Sequence, residues 1–121
     1  MKKILVVEDD NFLANAYMTK LKKAGFEPKL AVDGAEVFDI LVNFVPDLVL
    51  LDLILPKKDG FSVLADLKNS EQWKNIPVLI ASNLGQQEDI DRGMKLGAID
   101  YIVKTDIVLN DLVKKINSLL K

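Results

Sequence analysis

Two kinds of segment alternate from one end of this chain to the other, and that alternation is the strongest constraint on its fold. Short apolar runs, several rich in β-branched residues, occupy Lys3 to Val7, Leu30 to Val32, Leu48 to Leu51, Pro77 to Ala81 and Tyr101 to Val103, and runs of this kind read as strands. Leu48-Val49-Leu50-Leu51 and Val78-Leu79-Ile80-Ala81 are apolar without interruption, which suits parallel strands covered by helices on both faces. Between the runs lie stretches with helical spacing. Leu13, Ala14, Tyr17, Met18 and Leu21 share one helical face, with Asp10 or Asn11 as the N-terminal cap and Gly25 as the stop. Val37, Phe38, Leu41 and Phe44 mark a second helix, opened by Asp33-Gly34 and closed before Pro46, and Phe61, Leu64 and Leu67 mark a third. The fourth, around Glu88 to Leu96, is the weakest, because its apolar positions are Ile90, Met94 and Leu96 and Gly93 interrupts it. Leu109, Leu112, Val113, Ile116 and Leu120 give the fifth a clear apolar stripe.

Strict strand-helix alternation calls for a parallel sheet with right-handed crossovers. Five such units in 121 residues predict a single α/β domain over residues 1–121, a doubly wound five-stranded parallel sheet with five helices of flavodoxin-like type. The composition narrows the chemistry. There is no cysteine and no histidine, which removes disulfides, thiolate or imidazole metal sites, and Ser-His or Cys-His catalysis. Sixteen Lys+Arg against eighteen Asp+Glu, a formal charge of -2, argue against direct nucleic-acid binding. The opening Met1 to Val7 imitates a signal peptide, but Glu8-Asp9-Asp10 ends the apolar run too early. No run reaches the length of a membrane span, so a cytoplasmic protein without a membrane partner is expected.

Ligands of doubly wound folds bind outside the carboxyl ends of the strands, and here those ends are polar. Glu8, Asp9 and Asp10 follow the first strand, Asp52 ends the third, Ser82-Asn83 the fourth and Lys104-Thr105 the fifth. Taken singly, most have an ordinary explanation: acids after a strand cap the next helix, and a hydroxyl or an amine at a strand end is commonplace. Asp52 is the exception, because it interrupts the apolar stretch Leu48 to Leu55, and a carboxylate there needs solvent, a cation or hydrogen bonds. Together the residues make a chemical proposition. Clustered carboxylates repel unless a cation compensates, and an all-oxygen site suits Mg2+. A carboxylate can also attack phosphorus to form an acyl phosphate. Mg2+, an ammonium and a hydroxyl are then the groups that neutralise the equatorial phosphoryl oxygens.

These segments resemble the receiver domain of two-component response regulators, of the CheY-like single-domain type. The resemblance covers the whole chain and rests on Ile4 to Asp10, Asp47 to Pro56 with Gly60, Ile76 to Ser82, and Gly97-Ala98 followed by Asp100 to Lys104. It implies the strand order 2-1-3-4-5 and a phosphoacceptor, Asp52, charged by the phosphohistidine of a sensor histidine kinase or phosphotransfer protein. It further implies Mg2+ held by Glu8, Asp9, Asp52 and the backbone carbonyl of Ile54. Ser82, Lys104 and the backbone of Asn83 would bind the phosphoryl oxygens, with Ser82 and Tyr101 as the switch pair. The family is a signalling switch with slow autodephosphorylation rather than an enzyme. Its output is a downstream protein target meeting the fourth helix, fifth strand and fifth helix, where phosphorylation also supports a homodimer.

Three departures from the family stand out. Thr105 replaces a proline usually joined by a cis bond; a cis bond here would cost about 2.5 to 4 kcal/mol, so a trans peptide and a differently placed loop are expected. Ser82 replaces threonine, keeping the donor without the β-branch that sharpens its rotamer. Asn83 stands where a small residue is usual and is expected to narrow access for water. Rival readings are weaker. A flavodoxin-like electron carrier would not place Glu8-Asp9-Asp10 where a flavin phosphate must sit, and an aspartate-nucleophile phosphatase resembles Asp-x-Asp, whereas Leu53-Ile54 follow Asp52. A receiver-like adaptor working without phosphorylation is the nearer alternative.

Overall fold

Every apolar run becomes a strand of one parallel sheet. The computed structural model describes residues 1–121, in the order β1 (Lys3–Val7), α1 (Asn11–Lys23), β2 (Glu27–Ala31), α2 (Glu36–Leu41), β3 (Leu48–Leu51), α3 (Gly60–Lys68), β4 (Val78–Ser82), α4 (Gln87–Lys95), β5 (Asp100–Val103) and α5 (Leu109–Leu119). The strands lie in the order β2-β1-β3-β4-β5, the doubly wound arrangement expected. Val7 pairs with both Ala31 and Leu51, Leu51 with Ile80, and Ser82 with Val103. This register brings the residues after β1, β3, β4 and β5 to a common edge.

The two-residue period of the strands sorts their side chains into two cores. Leu5, Val7, Val49, Leu51, Val78 and Ile80 pack with Val37 and Leu41 of α2 and Phe61, Leu64 and Leu67 of α3. Ile4, Val6, Leu48, Leu50, Leu79 and Ala81 pack with Tyr17 and Leu21 of α1 and Leu112 and Ile116 of α5. All four residues of β3 are buried, as their unbroken apolar run requires, and each fully buried Leu or Ile contributes about 1.5 to 3 kcal/mol. On the first face, Trp73, in the connection between α3 and β4, tilts at 47° on Phe38 with ring centres 5.8 Å apart. No helix is long and apolar enough to cross a membrane.

Several boundaries differ from the sequence reading. β2 starts at Glu27 rather than Leu30 and takes in Pro28; it pairs with β1 alone, and an edge strand tolerates a residue that lacks an N–H. β4 runs one residue further, so Ser82 is its last residue. α2 ends at Leu41, and Phe44 reaches the core from a turn closed by its N–H on the Ile40 carbonyl, 3.0 Å away. Of α4 only Gly93 is buried, whereas Met94 is 41% exposed. The chain contains no cis peptide, and Lys104–Asp106 forms a single 3-10 turn.

Candidate phosphorylation and metal site

The acids at the sheet edge are carried there by strand hydrogen bonds that continue past the strands themselves. The Glu8 N–H donates to the Ala31 carbonyl at 3.0 Å and the Asp52 N–H to the Val7 carbonyl at 3.1 Å. Both residues are buried, 2% exposed for Glu8 and 6% for Asp52, while Asp9 is open to solvent. Glu8, Asp9 and Asp52 each present a carboxylate oxygen within 4.8 Å of the other two. Asp10, the third acid of the run, caps α1 by accepting the Leu13 N–H at 3.0 Å. The ordinary capping explanation thus holds for Asp10, and Glu8 and Asp9 are left to face Asp52.

Both oxygens of Asp52 are hydrogen-bonded. Oδ1 accepts the N–H groups of Leu53 at 2.7 Å and Ile54 at 3.4 Å, and Oδ2 accepts from the Lys104 ammonium at 2.9 Å. The same ammonium donates to Glu8 Oε1, so one cation bridges two buried carboxylates. Burial pushes the Glu8 carboxyl above the usual range; bonds from Lys104 and the Asp10 N–H oppose the rise, and the charge of Asp52 adds to it. For Lys104, burial acts against the charged form, but the bonds to Glu8 and Asp52 outweigh it and the ammonium is held above its usual value. Such a cluster stays charged only by mutual compensation, which a divalent ion entering among the oxygens would share.

Ser82 and Tyr101 meet at Leu84. Ser82 is fully buried, and its Oγ accepts the Leu84 N–H at 3.3 Å. The Tyr101 hydroxyl donates to the Leu84 carbonyl. Burial raises the Tyr101 pKa, and the negative charges of Asp89 and Asp52 add to this. The Tyr101 ring lies against α4 so closely that a β-carbon on Gly93 would come within 3.3 Å of it. Asn83 stands exposed beside Ser82. The structure therefore gathers Glu8, Asp9, Asp52 and Lys104 into one contact set and connects Ser82 with Tyr101 through one loop. Ile54 reaches the set through its N–H, and its side chain is 56% exposed.

One residue that lines a cavity with Lys104 escaped the sequence reading. Tyr17 reads as an apolar face residue of α1, yet its phenol, 6% exposed, senses the charges of Lys104, Glu8 and Asp52. Desolvation raises its pKa to about 12, with Lys104 opposing. The available signal was that it is the one hydroxyl-bearing residue among the apolar positions of α1.

Comparison with known proteins agrees with this geometry. Residues 4–117 match the family described as response regulator receiver domain. The DNA-binding dual master transcriptional regulator RpaA of Synechocystis sp. is 37% identical over 121 residues, which cover 100% of this chain and 50% of that protein. The chain spans about half the length of the curated relatives it matches. The receiver domain of the Francisella response regulator 1452 superposes with a TM-score of 0.90 at 32% identity, covering 99% of this chain and 97% of that one. The Mn2+-bound form of the response regulator Rcp1 does so with a TM-score of 0.84 at 30% identity, covering 98% and 91%. A family match along nearly the whole chain, on a sheet whose acidic edge is built as described, makes this chain a member of the receiver domains of two-component response regulators.

Proposed function

We propose that the chain is a cytoplasmic phosphoacceptor, a single receiver unit over residues 1–121 that takes a phosphoryl group on Asp52 from a sensor histidine kinase or phosphotransfer protein. The observation that carries this reading is the buried Asp52 carboxylate, held by two backbone N–H groups and one ammonium beside two further carboxylates. In the transfer an Asp52 oxygen forms a bond to phosphorus, the bond from phosphorus to the donor imidazole nitrogen breaks, and that nitrogen keeps the electron pair. The donor histidine lies outside these 121 residues, which contain none.

The donor set fits a hard divalent cation: three carboxylates, no nitrogen or sulfur. Glu8, Asp9, Asp52 and the Ile54 carbonyl would hold Mg2+, whose contribution is to neutralise phosphoryl oxygen charge. Lys104, whose ammonium lies 2.9 Å from Asp52 Oδ2, would pair with one phosphoryl oxygen, and Ser82, with the backbone of Asn83, would bind another. Drawing the Ser82 hydroxyl to the phosphoryl group would take it from Leu84 and so release the loop that Tyr101 also holds. The change would be read on α4, β5 and α5 by a downstream protein or a second copy of the chain. This is a population shift, driven by better phosphoryl contacts in one arrangement.

The test is the intact mass after incubation with acetyl phosphate and Mg2+. One added phosphoryl group is expected, absent without metal and absent in Asp52→Asn. An adduct that persists in Asp52→Asn would move the acceptor elsewhere. A parent chain that acquires no adduct and does not respond to beryllofluoride would leave an adaptor that works without phosphorylation.

A further inference from the structure

The loop that follows Asp52 is held in place from outside the site. The Lys58 N–H donates to the Pro56 carbonyl at 2.7 Å, closing a three-residue turn whose central residue, Lys57, has φ +67°. A γ-turn of this sign is strained for any residue with a β-carbon, and Lys57 is the one non-glycine residue of the chain with positive φ. On one flank, the Gly60 N–H donates to the Leu53 carbonyl at 2.9 Å. On the other stands the corner between β2 and α2. The Gly34 N–H approaches the Pro56 carbonyl at 3.4 Å, and a β-carbon on Gly34 would lie 1.9 Å from the Lys58 carbonyl oxygen. Beside it the buried Asp33 accepts the Glu36 N–H at 2.8 Å and lies 3.5 Å from the Lys57 ammonium.

We propose that Asp33 is a positioning residue for the phosphorylation site: by pairing with Lys57 it holds the strained turn and so fixes the backbone of Leu53 to Leu55 against Asp52. The inference rests on the proposed function and deepens its metal site. A glycine at position 57 would adopt the turn at no cost and need no partner. With lysine the turn is conditional, because the conformational cost of the positive φ must be offset by contacts from the β2–α2 corner. The pair is suited to that balance: the Asp33 side chain is 10% exposed and the Lys57 side chain 70%, so the attraction is partly screened and comparable with the strain it offsets. Removing either partner leaves the strain without its counterweight, and the segment whose N–H groups bind Asp52 Oδ1 relaxes.

Calorimetric titration of the full chain with Mg2+ tests this, because three variants separate the pair from the strain. Lys57→Ala removes the pair and keeps the strain. Asp33→Asn removes the charge while its side-chain oxygen can still accept the Glu36 N–H. Lys57→Gly removes pair and strain together. Mg2+ affinity is expected to fall about three- to fivefold in Lys57→Ala and in Asp33→Asn. It should stay within about twofold of the parent in Lys57→Gly, and adding Lys57→Gly to Asp33→Asn should restore it. A merely structural role for Asp33 would lower thermal stability without any rescue of Mg2+ affinity by glycine. Lys57→Ala binding Mg2+ as tightly as the parent, or Lys57→Gly binding as weakly as Lys57→Ala, overturns the inference alone. A flat titration of the parent itself removes the metal site, and with it both the proposed function and this inference.

Discussion

α3 and α4 are each nine residues long and lie over the same face of the sheet, yet they are attached in opposite ways. α3 buries Gly60, Phe61, Val63, Leu64 and Leu67, and α4 buries Gly93 alone. α3 starts directly against the strand end that carries Asp52: a β-carbon on Gly60 would lie 2.3 Å from the Asp52 carbonyl oxygen. Its N-terminus is capped by Asp59, which accepts the Ser62 N–H at 3.1 Å, whereas Gln86 gives α4 no side-chain cap. α4 is supported from within, by Glu88 and Asp89 in its first turn, Arg92 and Lys95 in its last, and a Gln87 to Asp91 bond of 2.8 Å. The difference separates two tasks. The helix that fixes the acid is bound by packing, and the helix that lies on Tyr101 is bound by little, so it moves at small cost.

That contrast can be broken most directly by truncation. Leu67→Ala in α3 is expected to lower the unfolding free energy by about 2 to 5 kcal/mol in urea denaturation, and Met94→Ala in α4 by less than about 0.5 kcal/mol. Comparable losses would abolish the distinction. A smaller effect concerns the caps: Asp59→Ala should cost about 1 kcal/mol, while Gln86→Ala should cost close to nothing. The Asp59 cap is also pH-dependent. Desolvation acts against its charge, but bonds from the Ser62 N–H and hydroxyl prevail and its pKa is lowered from 3.8. Its contribution is therefore complete above pH 3.8 and is lost as pH falls through the lower folded value. Asp59→Asn, which keeps the acceptor, should flatten that part of the acid limb relative to the parent. The smallest change sharpens the contrast. Arg92 lies 4.0 Å from the centre of the Phe61 ring, joining α4 to α3; Arg92→Ala should cost about 0.5 kcal/mol and speed amide exchange in α4 while leaving α3 protected.

The legibility of the sequence follows the same division. Packed elements announce themselves: the unbroken apolar runs of β3 and β4 marked them as strands covered on both faces, the strand order came from the family resemblance, and polar residues ending the runs marked the site edge. Asp52 was readable for that reason. α4 was legible in its place, expected around Glu88 to Leu96 and found at Gln87–Lys95, but only faintly, because burial there depends on Gly93, a residue whose contribution is the absence of a side chain. β2 was misjudged at its start because Glu27-Pro28-Lys29 lacks apolar character, and an edge position requires none. The turn at Lys57 left no trace in the sequence, since its conformation is imposed by Asp33 and Gly34 from another part of the chain. Local pattern encodes what a segment does for itself and is silent about what a distant segment does to it.

Trp73 is the only tryptophan of the chain, and its position against Phe38 has an optical consequence. It lies in the connection leading to the amino end of β4, while Asp52 and Lys104 lie beyond the carboxyl ends of the strands. Its emission is therefore placed to report the separation of α2 from the α3–β4 connection and to remain indifferent to events at the acidic edge. Under the proposed function, an unfolding curve followed by intrinsic fluorescence reads the same fluorophore environment with and without a phosphoryl group on Asp52, and a signal for the proposed switch has to come from a label near the acidic edge that leaves Tyr101 in place.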